Sequence, residues 1–523
     1  FFFKQKTAYE ISTRDWSSDV CSSDLFGHSS PLCRVVLVVI RGRAVCGDLS
    51  HNTGVFHMSK RYFDITDLIR FAQTNRNVSG IQRVQIRVIR YLAQQETGDD
   101  ILCMFAAGRF APLLACPARE LFADDEYDAS RFLCALGLEG GRNAFTKREL
   151  YDYLAKFPKR SLLRIAKKAE MLFLIKAWPA EARRRLGPAE TAGMTAAMPA
   201  QVPTQPVGRL QRGDSLVLLG TNWNVTAVER FARQFFQRGG DVVQVVYDLI
   251  PYRHPEYCID SLARKFTRFL VNSVGFTSRY ICISDATRRD MDEFLASNGW
   301  HTRTDTWPLA HEFAGHARNS RGTPAANPNV GALAGRQFVL CVGTIEIRKN
   351  GIGLLRAWKH VLDRLGSDAP LLVFAGKYGW KIDDFRELLA SDERLAASVK
   401  IIDRASDADL AFLYQNCLFH AYPSLAEGWG LPVGEAAWFG KYSVVSSSSS
   451  LPEVCGSLVD YVDPTSDFEL AAALEKAIRD PDYRRHKEEA IAAAKLRSWD
   501  DTAAQFGRLM ENAPHPMAPR RAL

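Results

Sequence analysis

The chain has 523 residues, more than one hydrophobic core organises, so two domains are expected. Its 47% hydrophobic and 24% charged content describes an ordinary soluble globular protein. A net charge of +8 is mild at this length: it permits anionic ligands and does not demand nucleic acid.

Residues 1–57 are set aside before any fold reasoning. Phe1 to Leu25 shows no apolar periodicity and resembles a translated sequencing adapter, with Lys4 to Glu10 and Asp15 to Leu25 as its constant parts. Phe26 to His57 then reads as disordered read-through upstream of a start at Met58. Its apolar run, Val35 to Ile40, is too short to span a bilayer and does not form a signal peptide. Of the 11 cysteines, Cys21, Cys33 and Cys46 fall in this stretch. The rest are scattered in apolar runs without a CxxC or a His/Cys cluster, which predicts reduced, buried thiols in a cytoplasmic protein and no metal site.

From Lys60 the chain alternates apolar runs with helical patterns. Lys60 to Asp67 reads as the first strand and Asn77 to Gly80 as a turn. Ile81 to Leu92 follows, with Ile81, Val84, Val88, Ile89 and Leu92 at helical spacing and Arg83 in the first turn. Ile101 to Phe105 is a strand. The pattern then degrades over an insertion at about 145–213. Within it, 156–178 is basic and apolar together, a solvated helix or, as the alternative, a peripheral contact with the inner face of the plasma membrane. Ala189 to Gly208, rich in Ala, Pro and Gln, reads as a flexible linker. Strands resume at Ser215 to Leu219, at Asp241 to Val246 and at Ser278 to Ser284, the last leading into a capped helix. Directly after the second of these come Tyr247, Asp248 and His254, where open α/β sheets place ligands.

The Gly/Pro/Ala-rich run from Trp307 to Pro328 reads as the interdomain linker. A second series follows: strands at Gln337 to Gly343, Leu371 to Gly376, Val399 to Ile402, Cys417 to Tyr422 and Tyr442 to Val445. Helices are predicted over Gly351 to Leu365, Asp407 to Cys417 and from Leu431, where Pro432 sits in the first turn and its missing N–H costs nothing. Alternation in both halves predicts two doubly wound parallel sheets. Asp407-Ala-Asp409 imitates a metal-binding pair but, after Ser406 and before an apolar helix, reads as an N-terminal cap. Ser498 to Met510 reads as a closing helix.

Ala421 to Gly440 organises the chain chemically. Glu427 lies in a strand-to-helix loop and Glu435 projects from the start of the following helix, beside backbone N–H groups that attract anions. Two acceptors around a phosphate-sized positive pocket suit a nucleotide sugar. Without partners elsewhere, the same stretch would be a glycine-rich turn with two solvated acids.

Three stretches together resemble the GT-B glycosyltransferases of family 4, and bacterial mannosyltransferases in particular. They are Phe338 to Asn350, Glu427 to Glu435, and Val246 to Glu256. The resemblance implies an α/β fold with two Rossmann-like doubly wound domains facing a cleft. An acceptor-side domain would span 58–310, a nucleotide-sugar domain 311–497, a helix at 498–512 would cross back to the first domain, and 513–523 would be a tail. It implies that Lys349 and Arg348 neutralise the leaving diphosphate, that Glu427 binds donor-sugar hydroxyls, and that Glu435 binds the ribose. Gly343, Gly428, Gly430 and Leu431 would offer backbone to the phosphates. Gly80 would lie under the donor, and Lys377 would flank the base. Two positions depart from the family: Tyr247 stands where many relatives have histidine, and Thr344 where many have arginine. The first raises Asp248 and His254 as substitutes; the second leaves Arg348 as the second phosphate cation.

The implied activity is retaining transfer of a hexose, mannose from GDP-mannose, to a glycan or lipid-linked acceptor in O-antigen or exopolysaccharide synthesis. No cofactor is expected beyond the donor, and fixed cations replace a metal. The competing expectations are a nucleotide-sugar epimerase on the same architecture and a non-catalytic GT-B-like binding subunit. A dinucleotide dehydrogenase is disfavoured because no GxGxxG follows the first strand.

Overall fold

The computed structural model describes residues 59–73, 75, 78, 80–95, 100–106, 112–124, 127–138, 153–154, 166–168, 170–171, 200–208, 211, 213–511 and 520–521. The expectations for 1–57 and for most of the insertion, of the basic segment and of the tail lie outside the described residues.

The first sheet is built from β1 (Arg61–Asp64), β2 (Ile101–Ala106), β3 (Leu113–Pro117), β4 (Gln205–Pro206), β5 (Ser215–Leu218), β6 (Asp241–Val246) and β7 (Arg279–Cys282). After β8 (Trp300–His301), which pairs with Arg520–Arg521 (β16) and not with this sheet, β9 (Arg303–Thr306) completes it. The spatial order is β4-β3-β2-β1-β5-β6-β7-β9. Six of these strands run parallel. The inner ones are buried on both faces, as in the near-continuous apolar run Asp241-Val-Val-Gln-Val-Val246, while the edge strand β9 is polar and partly exposed.

The expectation of a wholly parallel sheet fails at one edge, where β3 and β4 are antiparallel. For β3 the reason is chain length. Only a short connection separates Ala106 from Leu113, and a parallel return needs a crossover of a dozen or more residues. The linker reading of Ala189 to Gly208 is likewise corrected over its described end. Val202 N–H donates to Ala135 O and Val207 N–H to Leu113 O, both at 2.8 Å, and Gln205–Pro206 pairs with β3. Pro206 lacks a donor, which an edge strand tolerates.

The second sheet contains β10 (Phe338–Val342), β11 (Leu371–Ala375), β12 (Val399–Ile402), β13 (Phe419–Tyr422), β14 (Ser443–Ser446) and β15 (Asp460–Val462). All its pairs are parallel, in the order β12-β11-β10-β13-β14-β15. Strand order reverses between β10 and β13, so the loops after these strands splay apart and leave a crevice at the carboxyl edge. In the first sheet the reversal lies between β1 and β5.

The two sheets are joined twice. The segment after β9 runs through the buried Trp307 and Leu309 into β10. The helix Trp499–Glu511 then returns and packs against the helix Gly80–Gln94, with Gly507 set so closely on Leu92 that an added Cβ would meet it at 3.1 Å. Trp307 Nε1 donates to Thr502 O at 2.8 Å, and Arg279 donates to Leu509 O at 2.7 Å. Among the described residues, no helix is long and apolar enough to cross a membrane. Seven of the eight free cysteines described are buried.

Candidate active site

The loop after β10 is fixed by Asn350. Its left-handed backbone, at φ 54°, turns the chain into the helix Gly351–Leu365. Its side chain accepts from Gly353 N–H at 3.2 Å and donates to Pro423 O at 3.2 Å and Pro464 O at 2.7 Å. The loop after β10 is thereby tied to the loop after β13, and Arg348 and Lys349 are aimed across the gap between them. Lys349 Nζ lies 2.5 Å from Glu427 Oε1 and 2.5 Å from the Tyr422 hydroxyl. Arg348 reaches Glu427 Oε2 at 2.7 Å, Ala426 O at 2.7 Å and Glu346 Oε1 at 3.0 Å. Tyr422 donates to Glu427 Oε1 at 3.0 Å.

Glu427 is therefore the anion around which two cations and a phenol converge. Burial alone would raise its pKa; Arg348 and Lys349 outweigh that and hold it at about 2. The serine run behind it is scaffolding. Glu427 N–H donates to Ser449 Oγ at 2.8 Å, while the Ser450 hydroxyl donates to Glu427 O at 2.9 Å and Trp429 O at 3.1 Å. Gly428 lies against the opposite lobe: a Cβ there would stand 1.8 Å from Tyr247 O, so only glycine lets the lobes meet. Gly430, at φ +115°, caps the helix Leu431–Trp438. Gly80 faces that helix start, its notional Cβ 3.2 Å from Leu431.

Glu435 is buried in the same helix and is taken by the first lobe. Arg83 crosses the cleft to its Oε1 at 2.8 Å, and Tyr414 donates to Oε2 at 3.1 Å. Arg83 also reaches Asp407 at 3.4 Å and stacks over Phe313, 5.5 Å from the ring centre. Burial pushes the Glu435 carboxyl up, and Arg83 opposes it. Asp409 serves the cap that the sequence suggested, in a reciprocal box with Ser406, and it accepts from Ala326 and Asn327 N–H.

Across the cleft, Asp248 follows β6, accepts from Ile250 N–H at 3.0 Å and is raised by burial, with Arg348 the main opposing charge. Tyr247 does not face the cleft with its ring; its hydroxyl donates to Leu219 O at 2.8 Å, inside the first lobe. His254 is not brought to the cluster. It is half-exposed, pairs with Glu256 at 3.1 Å and stacks on Tyr257. Of the two expected substitutes, only Asp248 stands beside Arg348. Gly343 and Thr344 line a small recess with Lys349 and Tyr422. Lys377 lies behind that loop, its carbonyl accepting from Ile345 N–H at 2.9 Å.

Sequence reasoning assigned no role to Arg83, Tyr414, Tyr422, Glu346 or Glu453. Glu453 closes the cleft by accepting from Asp285 and Ala286 N–H, both at 2.7 Å, at the start of the helix Asp285–Ser297. The signal for Arg83 was its place one turn into a helix that opens with glycine. The others carry no local pattern.

At the crevice of the first sheet, Asp64 is fully buried and accepts from Thr66 N–H, the Thr66 hydroxyl and Asn222 Nδ2. Burial raises its pKa from 3.8 to about 7. A folded-state value above the unfolded one carries no penalty below pH 4; the penalty grows through the interval and is complete above pH 7. Asp64→Asn should therefore stabilise the protein at pH 8 by about 2 kcal/mol, at about 1.4 kcal/mol per unit less the weaker neutral hydrogen bonds. Asn222 Oδ1, which has no partner, can turn to receive the new amide. Melting temperatures of the two proteins should converge at pH 4; a gap independent of pH would refute this account.

Comparisons with known proteins bear on the class of protein and on its fold. Residues 326–495 match the family model described as "Glycosyl transferases group 1". The chain is 27% identical over 238 residues to the Serotype-specific mannosyltransferase WbdA of Escherichia coli, covering 44% of this chain and 29% of that protein. It is 32% identical over 174 residues to the O-antigen chain mannosyltransferase B of Escherichia coli, covering 33% of this chain and 45% of the relative. The chain thus spans less than half the length of these curated relatives. Among solved structures, Anabaena Alr3699/HepE in complex with UDP and glucose superposes with a TM-score of 0.52 at 15% identity, over 87% of this chain and 100% of that one. The architecture is GT-B, two Rossmann-like domains facing each other across a cleft.

Proposed function

We propose that the protein is a retaining glycosyltransferase of polysaccharide synthesis that moves a hexose, mannose from GDP-mannose, onto a glycan or lipid-linked acceptor. The observation that carries this reading is the convergence of Arg348, Lys349 and Glu427 at the strand-order reversal of the second sheet. Cleaving a glycosyl–phosphate bond builds negative charge on the departing diphosphate, and two fixed cations beside a helix N-terminus stabilise it. The two cations face Glu427 and, on the Arg348 side, Glu346. Donor entry exchanges one set of anions for another: the diphosphate takes Arg348 and Lys349, and Glu427 is freed to accept from sugar hydroxyls. Asp248, across the cleft and raised by burial, would orient the acceptor hydroxyl. The matching residues 326–495 and the mannosyltransferase relatives support the sugar-transfer class.

The test is incubation with GDP-mannose, UDP-glucose and UDP-GlcNAc, following nucleotide release and thermal shift. Release from GDP-mannose in preference to the others is expected. Neither release nor a shift with any donor would overturn the reading.

A further inference from the structure

A cavity of about 190 Å³ opens beside Asp248 and runs into the first lobe. Its inner wall is apolar, formed by Trp223, Cys258, Leu262, Phe266, Phe269 and Leu270. Trp223 and Phe266 meet edge to face with ring centres 5.3 Å apart, which fixes the shape of that wall. The mouth is polar and comes partly from the other lobe: Asp248 on one side, Glu346, Arg348 and Trp380 on the other. Trp380 is held there by donating to Tyr257 O at 2.8 Å.

A sugar ring does not suit the interior. Each hydroxyl left unpaired inside would cost about 1–3 kcal/mol. The inner polar groups are Gln244, already receiving Thr277 at 3.4 Å, and Asn222, whose Oδ1 is buried without a partner. Apolar cavities of roughly 150 Å³ hold a benzene-sized body. At the mouth the chemistry reverses: a carboxylate and a guanidinium suit hydroxyls.

We propose that this cavity is a subsite for an apolar aglycone of about six carbons, so that the acceptor is amphipathic, its sugar at the mouth and its apolar end inside. The proposal rests on the glycosyltransferase reading above and adds the acceptor class. It makes Leu262, Phe266 and Phe269 determinants of acceptor choice.

The test compares methyl α-mannoside with phenyl α-mannoside, with GDP-mannose as donor and, separately, by calorimetry in the presence of GDP. The phenyl compound should gain about tenfold in kcat/KM and bind correspondingly tighter, the return for burying one ring. Leu262→Trp, which fills part of the apolar interior, should bring both ratios to about one while the GDP-dependent thermal shift persists. Equal ratios in the wild-type protein, or a phenyl preference that survives Leu262→Trp, would overturn the proposal. Absence of transfer together with tighter phenyl binding would uphold the cavity and count against the transfer reading, so the two can fail separately.

Discussion

Glu427→Ala is expected to lower the transfer rate by about 10³-fold and to destabilise the fold by about 3–5 kcal/mol. Both effects follow from one arrangement. Arg348 and Lys349 share the Glu427 carboxylate, and removing it leaves two largely buried cations with Glu346 as the nearest compensation. Breaking a buried pair by deleting one partner costs more than the pair contributes, because the remaining charge keeps its desolvation penalty. Glu427→Gln keeps an acceptor for Tyr422 and Lys349 and should lose transfer with a smaller loss of stability. GDP should bind both variants more tightly than wild type, since the diphosphate no longer competes with Glu427. Rates and GDP calorimetry on the three proteins decide the matter; near-normal transfer by Glu427→Gln would remove the carboxylate from the mechanism. With its pKa at about 2, against 4.5 unperturbed, Glu427 contributes its full stabilisation above pH 4.5 and loses it as pH falls towards 2.

The second large effect concerns the pair that spans the cleft. Arg83→Ala should cost about 3 kcal/mol, because Glu435 is left as a buried carboxylate whose remaining hydrogen bond is from Tyr414. A double-mutant cycle with Glu435→Ala should return a coupling of about 1.5–3 kcal/mol. The nucleotide response separates two roles. If Glu435 receives the ribose, Arg83 competes with it, so Arg83→Ala should tighten GDP binding several-fold while Glu435→Ala weakens it. Equal weakening in both would make Arg83 a ligand of the nucleotide and not its competitor.

The strands and helices around this site were legible because they obey short periods. Val399–Ile402, Asp241–Val246 and Gly351–Leu365 fall at the boundaries that apolar runs and caps indicate. The carboxylates and cations of the second lobe were legible too, since Arg348, Lys349 and Glu427 sit in loops that follow recognisable strands and Glu435 in the helix that opens after one. Their partnerships were not. That Glu427 binds Arg348 and Lys349 depends on two loops of the second sheet meeting, and that Glu435 is taken by Arg83 from 352 residues away depends on two lobes meeting; no local pattern encodes either. Tyr247 is instructive in the same way. Its position in sequence pointed at the cleft, while its ring turns into the first lobe because the Leu219 carbonyl offers a buried partner. The antiparallel β3–β4 edge escaped because Gln205–Pro206 has no strand pattern of its own.

The returning helix Trp499–Glu511 has a consequence for assembly. Its Trp499, Ala503, Phe506 and Met510 complete an apolar cluster whose other members include Phe63, Ile65, Val84 and Ile89. Part of the core of the lobe that is synthesised first is therefore supplied by a segment more than 400 residues downstream. The second lobe, whose sheet lies wholly between Phe338 and Val462, can close earlier and then deliver the missing helix.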